Sequence, residues 1–262
     1  MSAKNLICAI GALTLCAGAA NASFFEWNWA PGDPGQYGIN NNGGQFSGVN
    51  ATFNANTNQL TWTVAFTNDV TEGFTLALNN GPNPKGHGGE LALLYVDASD
   101  ANDVMITAYS YNGQNNNRSW RDGNGQQSGD QPADLIMNAN QRNDWVLSAS
   151  VTDVNGARTI SFTADVTDIL GHTPMYPDPD LPPSADPREG WYGIGFAEQL
   201  GLWMHPYRTF DATYDPQTGA ISALSTSGEG WFDGRNFETV PTPGAVALAG
   251  LSGLAMLRRR RA

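Results

Sequence analysis

The sequence has 262 residues and a formal net charge of −12, from 25 acidic residues against 13 lysines and arginines. Lys4 and four terminal arginines account for five of those thirteen, so the stretch between the two ends carries eight basic residues, all 25 acidic ones and a net charge of −17. Nucleic acid and anionic lipid are bound through basic patches, so an acidic surface argues against both as partners.

The N-terminus has the layout of a secretory signal peptide over residues 1–22. Lys4 is followed by an apolar run over residues 6–17, and Ala20 and Ala22 form an A-x-A cleavage site before Ser23. This order predicts export and cleavage by signal peptidase. A retained membrane anchor is the alternative, and it is disfavoured because the apolar run is short.

Both cysteines, Cys8 and Cys16, lie in the predicted signal peptide. The exported protein would therefore contain no disulfide, no catalytic thiol and no Cys-ligated metal. A stretch as long as residues 23–238 can form one hydrophobic core without such cross-links, so we predict a single domain there.

Alternation of apolar residues with threonine predicts β-strands, most clearly over residues 60–66 (LTWTVAF). About eight to ten short strands separated by Gly- and Asn-rich turns favour an all-β fold, a single β-sandwich of the jelly-roll or concanavalin-like kind. The predicted strands are 49–53, 60–66, 74–78, 91–96, 104–111, 145–151, 159–167, 191–197, 210–214 and 220–224. Runs 35–44 and 111–129 are expected to be long exposed loops, and the proline-rich run 174–187 an extended crossing on the surface.

One acidic loop offers several hard oxygen donors of the kind that calcium prefers, namely Asp97, Asp100, Asn102 and Asp103. The loop lacks the full EF-hand pattern, and a polar turn that caps itself is the alternative interpretation. No other cofactor is expected. The three histidines, His87, His172 and His205, lack metal-ligand spacing and are expected in loops or on the surface.

Tryptophans beside charged residues indicate a carbohydrate-binding surface. Trp120 stands next to Arg121, and Trp231 lies close to an aspartate and an arginine, a combination on which sugar rings can stack. The alternative is that most tryptophans belong to the core, Trp62 and Trp145 above all.

Catalysis is not predicted. Glu189 or Glu198 could belong to a pair of carboxylates, as in glycosidases, but no E-x-D-x-x-E spacing is present. A nucleophile elbow and a phosphate-binding glycine loop are also missing from the sequence.

The C-terminal residues 240–262 have three parts in a fixed order. Val240, Pro241, Thr242 and Pro243 are followed by an uncharged run over residues 244–257 and then by four arginines, Arg258, Arg259, Arg260 and Arg261. This layout resembles the PEP-CTERM protein-sorting signal, in a variant with threonine where the family name has glutamate. The resemblance implies transient anchoring in the inner membrane, processing by an exosortase-type membrane transpeptidase, and delivery to the cell surface.

The sequence therefore predicts an exported cell-surface or extracellular-matrix protein with a structural or adhesive role. The resemblance also implies contact with exopolysaccharide, which makes a carbohydrate-binding module the first alternative. A glycan-cleaving enzyme is the more distant one.

Overall fold

A computed structural model of the protein describes residues 24–33, 36–68, 70–79, 92–114, 118–123, 131–139, 142–173 and 200–234. Several predictions lie outside these residues: the signal peptide with Ala20 and Ala22; the sorting tail with Val240, Pro241, Thr242, Pro243, Arg258, Arg259, Arg260 and Arg261; the strand at 191–197; the run 174–187; and His87, Glu189 and Glu198.

The prediction of an all-β fold is confirmed, because antiparallel strands dominate the described residues. The strands are β1 (Phe24–Trp29), β2 (Gln36–Asn40), β3 (Phe46–Asn54), β4 (Gln59–Phe66), β5 (Gly73–Asn79), β6 (Ala92–Asp97), β7 (Met105–Ser110), β8 (Asp134–Met137), β9 (Val146–Val154), β10 (Ala157–Asp165), β11 (Gly201–Tyr207), β12 (Thr209–Tyr214), β13 (Ile221–Ser227) and β14 (Trp231–Gly234). Within the described residues, three short helices accompany them: a 3-10 helix (Asn41–Gly43), α1 (Arg142–Trp145) and α2 (Thr167–Gly171).

Five strands form one sheet in the order β1-β3-β4-β10-β9. Its strands show the predicted period of two: along β4, buried residues alternate with half-buried ones. The turn between β3 and β4 is built by asparagines, since Asn54 Oδ1 accepts the N–H of Asn56 and Asn58 adopts a φ of 50°. Trp27, Trp29 and Trp62 all lie on the buried face of this sheet.

Seven strands form the second sheet in the order β2-β14-β11-β5-β6-β7-β8. One face contributes Leu76, Leu94 and Met204 to a hydrophobic cluster that also contains the buried residues of the five-stranded sheet. Phe46 on β3 and Phe232 on β14 stack across this cluster with their ring centroids 4.1 Å apart. The two sheets therefore share one core.

The opposite face of the seven-stranded sheet is covered by the β12–β13 hairpin. Phe210 and Ile221 of the hairpin pack with Leu93, Tyr95 and Tyr109 of the sheet in a second cluster. This second cover explains why every residue of β5 and β6 is buried. A strand buried on both faces has a continuous hydrophobic run instead of an alternating one.

Two expected exposed loops are corrected by the structure. The run 35–44 contains β2 and the 3-10 helix, and in the run 111–129 the residues Tyr111, Asn112, Gln114 and Ser119 are buried. Asn112 closes this second segment, because its side-chain amide donates to the carbonyl oxygens of Arg121 and Gln131 at 2.8 and 3.0 Å. Buried polar side chains that satisfy backbone groups in this way are part of the fold.

The number and the ends of the strands also differ from the prediction. The described residues contain fourteen strands, and β1, β2, β8, β11 and β14 were not predicted. The strand expected to end at residue 167 ends at Asp165, because Asp165 Oδ1 accepts both the N–H and the hydroxyl of Thr167 as α2 begins. A side chain that satisfies a free backbone N–H at a helix start ends the preceding strand.

Candidate functional site

Strand β11 places an aromatic residue and a histidine side by side on the hairpin side of the seven-stranded sheet. Leu202 and Met204 point into the shared core, so the alternate residues Trp203 and His205 lie on the opposite face. Their ring centroids are 4.9 Å apart. His205 is only 8% exposed, which corrects the expectation that it lies in a loop or on the surface.

His205 is held by a carboxylate. Its Nδ1 lies 2.7 Å from Oε1 of Glu229, whose side chain is 46% exposed. The hydrogen bond with His205 lowers the pKa of Glu229 below its ordinary value, and the charges of His205 and Arg118 act in the same direction. Glu229 is thus an ionised acceptor at neutral pH with one part of its surface open to solvent.

The loop at residues 118–123 brings Trp120 to the same side of the sheet. The backbone amides of Ser119 and Trp120 hydrogen-bond to the phenol oxygen of Tyr95, whose pKa is raised by its burial. Trp120 packs against the second hydrophobic cluster and is half-buried, whereas the run 111–129 that contains it was expected to be an exposed loop. Arg121 is exposed beside it, and its carbonyl accepts from Asn112.

Trp231 reaches this face from β14. Trp203 lies opposite Asp233 in the β11–β14 pair, and Trp231 stands two residues from Asp233, so both tryptophans point to the same face. The Trp231 ring lies across Gly38 of β2, where a Cβ atom would overlap with it. A glycine is needed at residue 38 for this close approach.

The structure therefore brings Trp120 and Trp231 to one face, which we call the Trp–His face. Its members are Arg118, Trp120, Trp203, His205, Glu229 and Trp231. Sequence reasoning missed His205 and Glu229, and the only local signal was the alternation Trp203-x-His205. Flat aromatic surfaces beside charged hydrogen-bonding groups are suited to a sugar ring, whose faces are apolar and whose edges are polar.

The acidic loop after β6 satisfies itself internally. Asp97 is 8% exposed, and its Oδ1 accepts the N–H and the hydroxyl of Ser99 at 3.1 and 2.6 Å. Asp100 Oδ1 accepts the N–H of Asn102 at 2.8 Å, and Asp103 donates its N–H to the carbonyl of Asp100. These hydrogen bonds form Asx turns, so the loop is a polar turn that caps itself, as the alternative to a calcium site expected. In the part of the chain that the structure describes, no group of three or more His, Cys, Asp or Glu side chains could hold a metal ion, and calcium at this loop stays a prediction.

An acidic pocket of about 230 Å³ lies where α2 meets α1 and the end of β8. It is lined by Met137, Asp144, Trp145, Asp165, Thr167 and Asp168. Trp145 is 2% exposed and donates to the carbonyl of Asn138, which agrees with its predicted place in the core. Asp165 Oδ1 accepts the N–H and the hydroxyl of Thr167 at the start of α2, so this carboxylate has a structural role.

The outer face of the five-stranded sheet carries an array of hydroxyl and amide groups. Thr61 and Thr163 join β4 and β10 through their hydroxyls at 3.0 Å, and Ser161 donates to Thr63 at 3.0 Å. The array continues onto β9 through residues that are opposite these in register, Ser148 and Ser150. This surface is polar and rich in neutral hydrogen-bonding groups.

Comparison with protein-family models finds none that matches the chain, and comparison with curated proteins finds no match. In the described residues, no helix is long and apolar enough to cross a membrane.

Proposed function

We propose that the protein is an exported cell-surface or extracellular-matrix protein with an adhesive role, and that the Trp–His face is its binding site for extracellular carbohydrate. The observation that carries the proposal is the placing of Trp203, His205 and the half-exposed Glu229 side by side. Trp203 offers an apolar ring surface and Glu229 offers a charged acceptor that a sugar hydroxyl can reach. Arg118 adds a charged donor close enough to lower the pKa of Glu229.

The hydrogen bond between His205 and Glu229 suits this carboxylate to the recognition of a ligand hydroxyl. The partner of Glu229 is His205, which lies at 2.7 Å and occupies Oε1. A carboxylate held in this way is fixed in position as an acceptor, which is what a binding site requires.

The fold that would present this site is a β-sandwich of the jelly-roll or concanavalin-like kind. Support comes from the hydrophobic cluster that both large sheets share and from the stacked rings of Phe46 and Phe232, one from each sheet. Sheets that pack through such an interdigitated core are typical of sandwiches.

Export and sorting rest on the two ends of the chain. The signal-peptide pattern before Ser23 supports secretion, and the tail from Val240 to the terminal arginines supports processing by an exosortase-type transpeptidase. The arginines would hold the tail on the inner side of the membrane during this step, according to the positive-inside rule.

Binding is tested with exopolysaccharide purified from the producing cells, immobilised on a surface. Glu229→Gln keeps the size of the side chain but removes the charge, and Trp120→Leu removes an aromatic ring. We expect each to weaken binding by about tenfold or more, as the loss of one good contact in a binding site does. Glu26→Gln, the same change on the outer face of the five-stranded sheet, is the matched control. Equal binding by all four proteins would refute the Trp–His face as the site.

Sorting is tested by intact mass and cell fractionation of the native protein. We expect loss of residues 1–22 and of the segment that follows Pro243, with any added mass identifying the group attached after cleavage. A full-length C-terminus retained in the inner membrane would refute processing and leave carbohydrate binding as a separate question.

A further inference from the structure

The five-stranded sheet ends in a long strand, β9, whose outer edge is paired with no other strand in the part of the chain that the structure describes. β9 has nine residues, more than β1, β2 or β8, the other edge strands of the two large sheets. Leu147 and Val154 of β9 are 49% and 57% exposed.

Proteins usually protect such an edge with lysine, proline, an inward charge or a bulge, because unpaired N–H and C=O groups attract another strand. The sequence of β9, VLSASVTDV, contains no lysine and no proline. Its one charged residue, Asp153, is tied to Arg158 on β10 by two contacts of 2.8 and 2.9 Å. The bulge in the β9–β10 pair lies at its first residues, and the register from Ser148 to Val154 is regular.

We propose that β9 is a self-association edge, at which a second copy of this chain adds its own β9 in antiparallel orientation. Antiparallel self-pairing gives a two-fold axis, and the axis passes through Ser150. Ser148 then lies opposite Thr152 of the second copy, Ala149 opposite Val151, and Ser150 opposite Ser150. Hydroxyl side chains thus meet hydroxyl side chains on the outer face, and Ala149 meets Val151 on the inner face, which favours this register.

A register shifted by one residue is less favourable. With such a shift, side chains on the outer face of one strand would lie opposite side chains on the inner face of the other, and Val151 would lie beside the hydroxyl of Ser150. In the proposed register Asp153 of one copy lies opposite Leu147 of the other. The two Asp153 residues are then six residues apart along the strand, or about 20 Å at 3.4 Å per residue. That separation exceeds the Debye length of about 8 Å at physiological salt, so the two charges repel each other only weakly.

Pairing at β9 would join two five-stranded sheets into one of ten strands. Ser148, Ser150 and Thr152 lie on the same outer face as Ser161 and Thr163, so the hydroxyl arrays of the two copies would become continuous. A matrix protein with such an edge would present its polar face over twice the width.

The test uses single cysteines on β9 in the full chain, purified in mild detergent, with Cys8 and Cys16 replaced by serine in every variant. Ser150→Cys places two thiols opposite each other at the two-fold axis, where the Cβ atoms of directly opposed residues are about 5 Å apart and can form a disulfide. Ser148→Cys is the matched control, because residue 148 lies opposite residue 152 and about 14 Å from its own copy.

We expect Ser150→Cys to form disulfide dimers at least about tenfold faster than Ser148→Cys under mild oxidation. Mixing Ser148→Cys with Thr152→Cys should restore fast cross-linking between the two variants. Similar rates for the three single variants would overturn the proposal. Slow hydrogen exchange of the β9 amides in a protein that forms no cross-link would overturn it too, since another segment of the same chain would then cover the edge.

Discussion

The stacked pair of Phe46 and Phe232 gives a direct test of how the two large sheets pack. The two rings are 4% and 1% exposed, and their centroids are 4.1 Å apart. Truncating either residue to alanine removes roughly 150 Å² of buried ring surface, which at about 25 cal/mol per Å² amounts to about 4 kcal/mol. This value lies within the range of ~3–5 kcal/mol found for buried phenylalanines.

Equilibrium unfolding in guanidinium chloride measures this loss. Phe46→Ala and Phe232→Ala should each lower the midpoint strongly, since a domain of this size has a total stability of about 5–15 kcal/mol. A double-mutant cycle with leucine at both sites then isolates the ring contact. We expect a coupling free energy of about 0.5–1.5 kcal/mol, the usual range for an aromatic pair beyond its buried area.

Phe210 supplies the control for the cycle, because it belongs to the second cluster on the other side of the seven-stranded sheet. Phe46→Leu and Phe210→Leu should be additive within about 0.5 kcal/mol. Additive behaviour of Phe46 and Phe232, or a loss below about 1 kcal/mol on truncation of either, would refute the shared core between the two sheets.

Three further predictions concern single contacts. Burial raises the pKa of Asp97. The ionised carboxyl therefore lowers the stability of the fold as pH rises through that raised pKa, and it has no such effect below the ordinary pKa of 3.8. Asp97→Asn keeps an acceptor for Ser99, so it should raise Tm at pH 7 and leave Tm unchanged near pH 3. Arg158 donates to the carbonyl of the buried Thr71 at 2.6 Å and lowers the pKa of Asp153. Arg158→Ala should lower the free energy of unfolding by about 1–3 kcal/mol at neutral pH. This loss of stability should shrink as pH falls below 3.8, the ordinary pKa of Asp153. Gly38→Ala places a Cβ within the Trp231 ring, so it should cost about 1–3 kcal/mol and change the tryptophan fluorescence.

Matched controls separate these effects from general ones. Asp100→Asn changes an exposed aspartate of the same loop and should leave Tm at pH 7 close to that of the parent; an equal rise would contradict the explanation by burial. Arg158→Lys keeps the charge but cannot make the paired contacts, so it should lie between the parent and Arg158→Ala. Gly171→Ala adds a Cβ that meets nothing within 4 Å; a larger effect there than at Gly38 would contradict the overlap with Trp231.

Strand prediction succeeded for the clearly alternating strands and also for β5 and β6, which are buried on both faces, but it missed β11. β4 and β10 alternate between apolar and polar residues and were predicted closely. β11 contains Gly201 and Pro206 and has one face in each hydrophobic cluster, so its sequence lacks a period of two. Pro206 is compatible with the strand in this structure, although proline in a sequence weakens the prediction of a strand.

The candidate site was predicted in part. Tryptophans beside charged residues singled out Trp120 and Trp231, but His205 and Glu229 are 24 residues apart and lie on opposite sides of the β12–β13 hairpin in the chain. No local pattern joins them. The return of the chain after β13 brings Glu229 next to β11, which only the pairing of β11 with β14 reveals.

The sequence by itself determined the all-β character, the asparagine-rich turns and the place of Trp62 and Trp145 in the core. All three follow from local chemistry, namely side-chain alternation, side chains that cap nearby backbone groups, and the cost of exposing large rings. Only the tertiary structure decided which strands pair, that a hairpin covers the second face of the seven-stranded sheet, and that Glu229 meets His205. Backbone hydrogen bonds between strands are alike at every residue, so their pairing depends on how the faces of distant segments pack together.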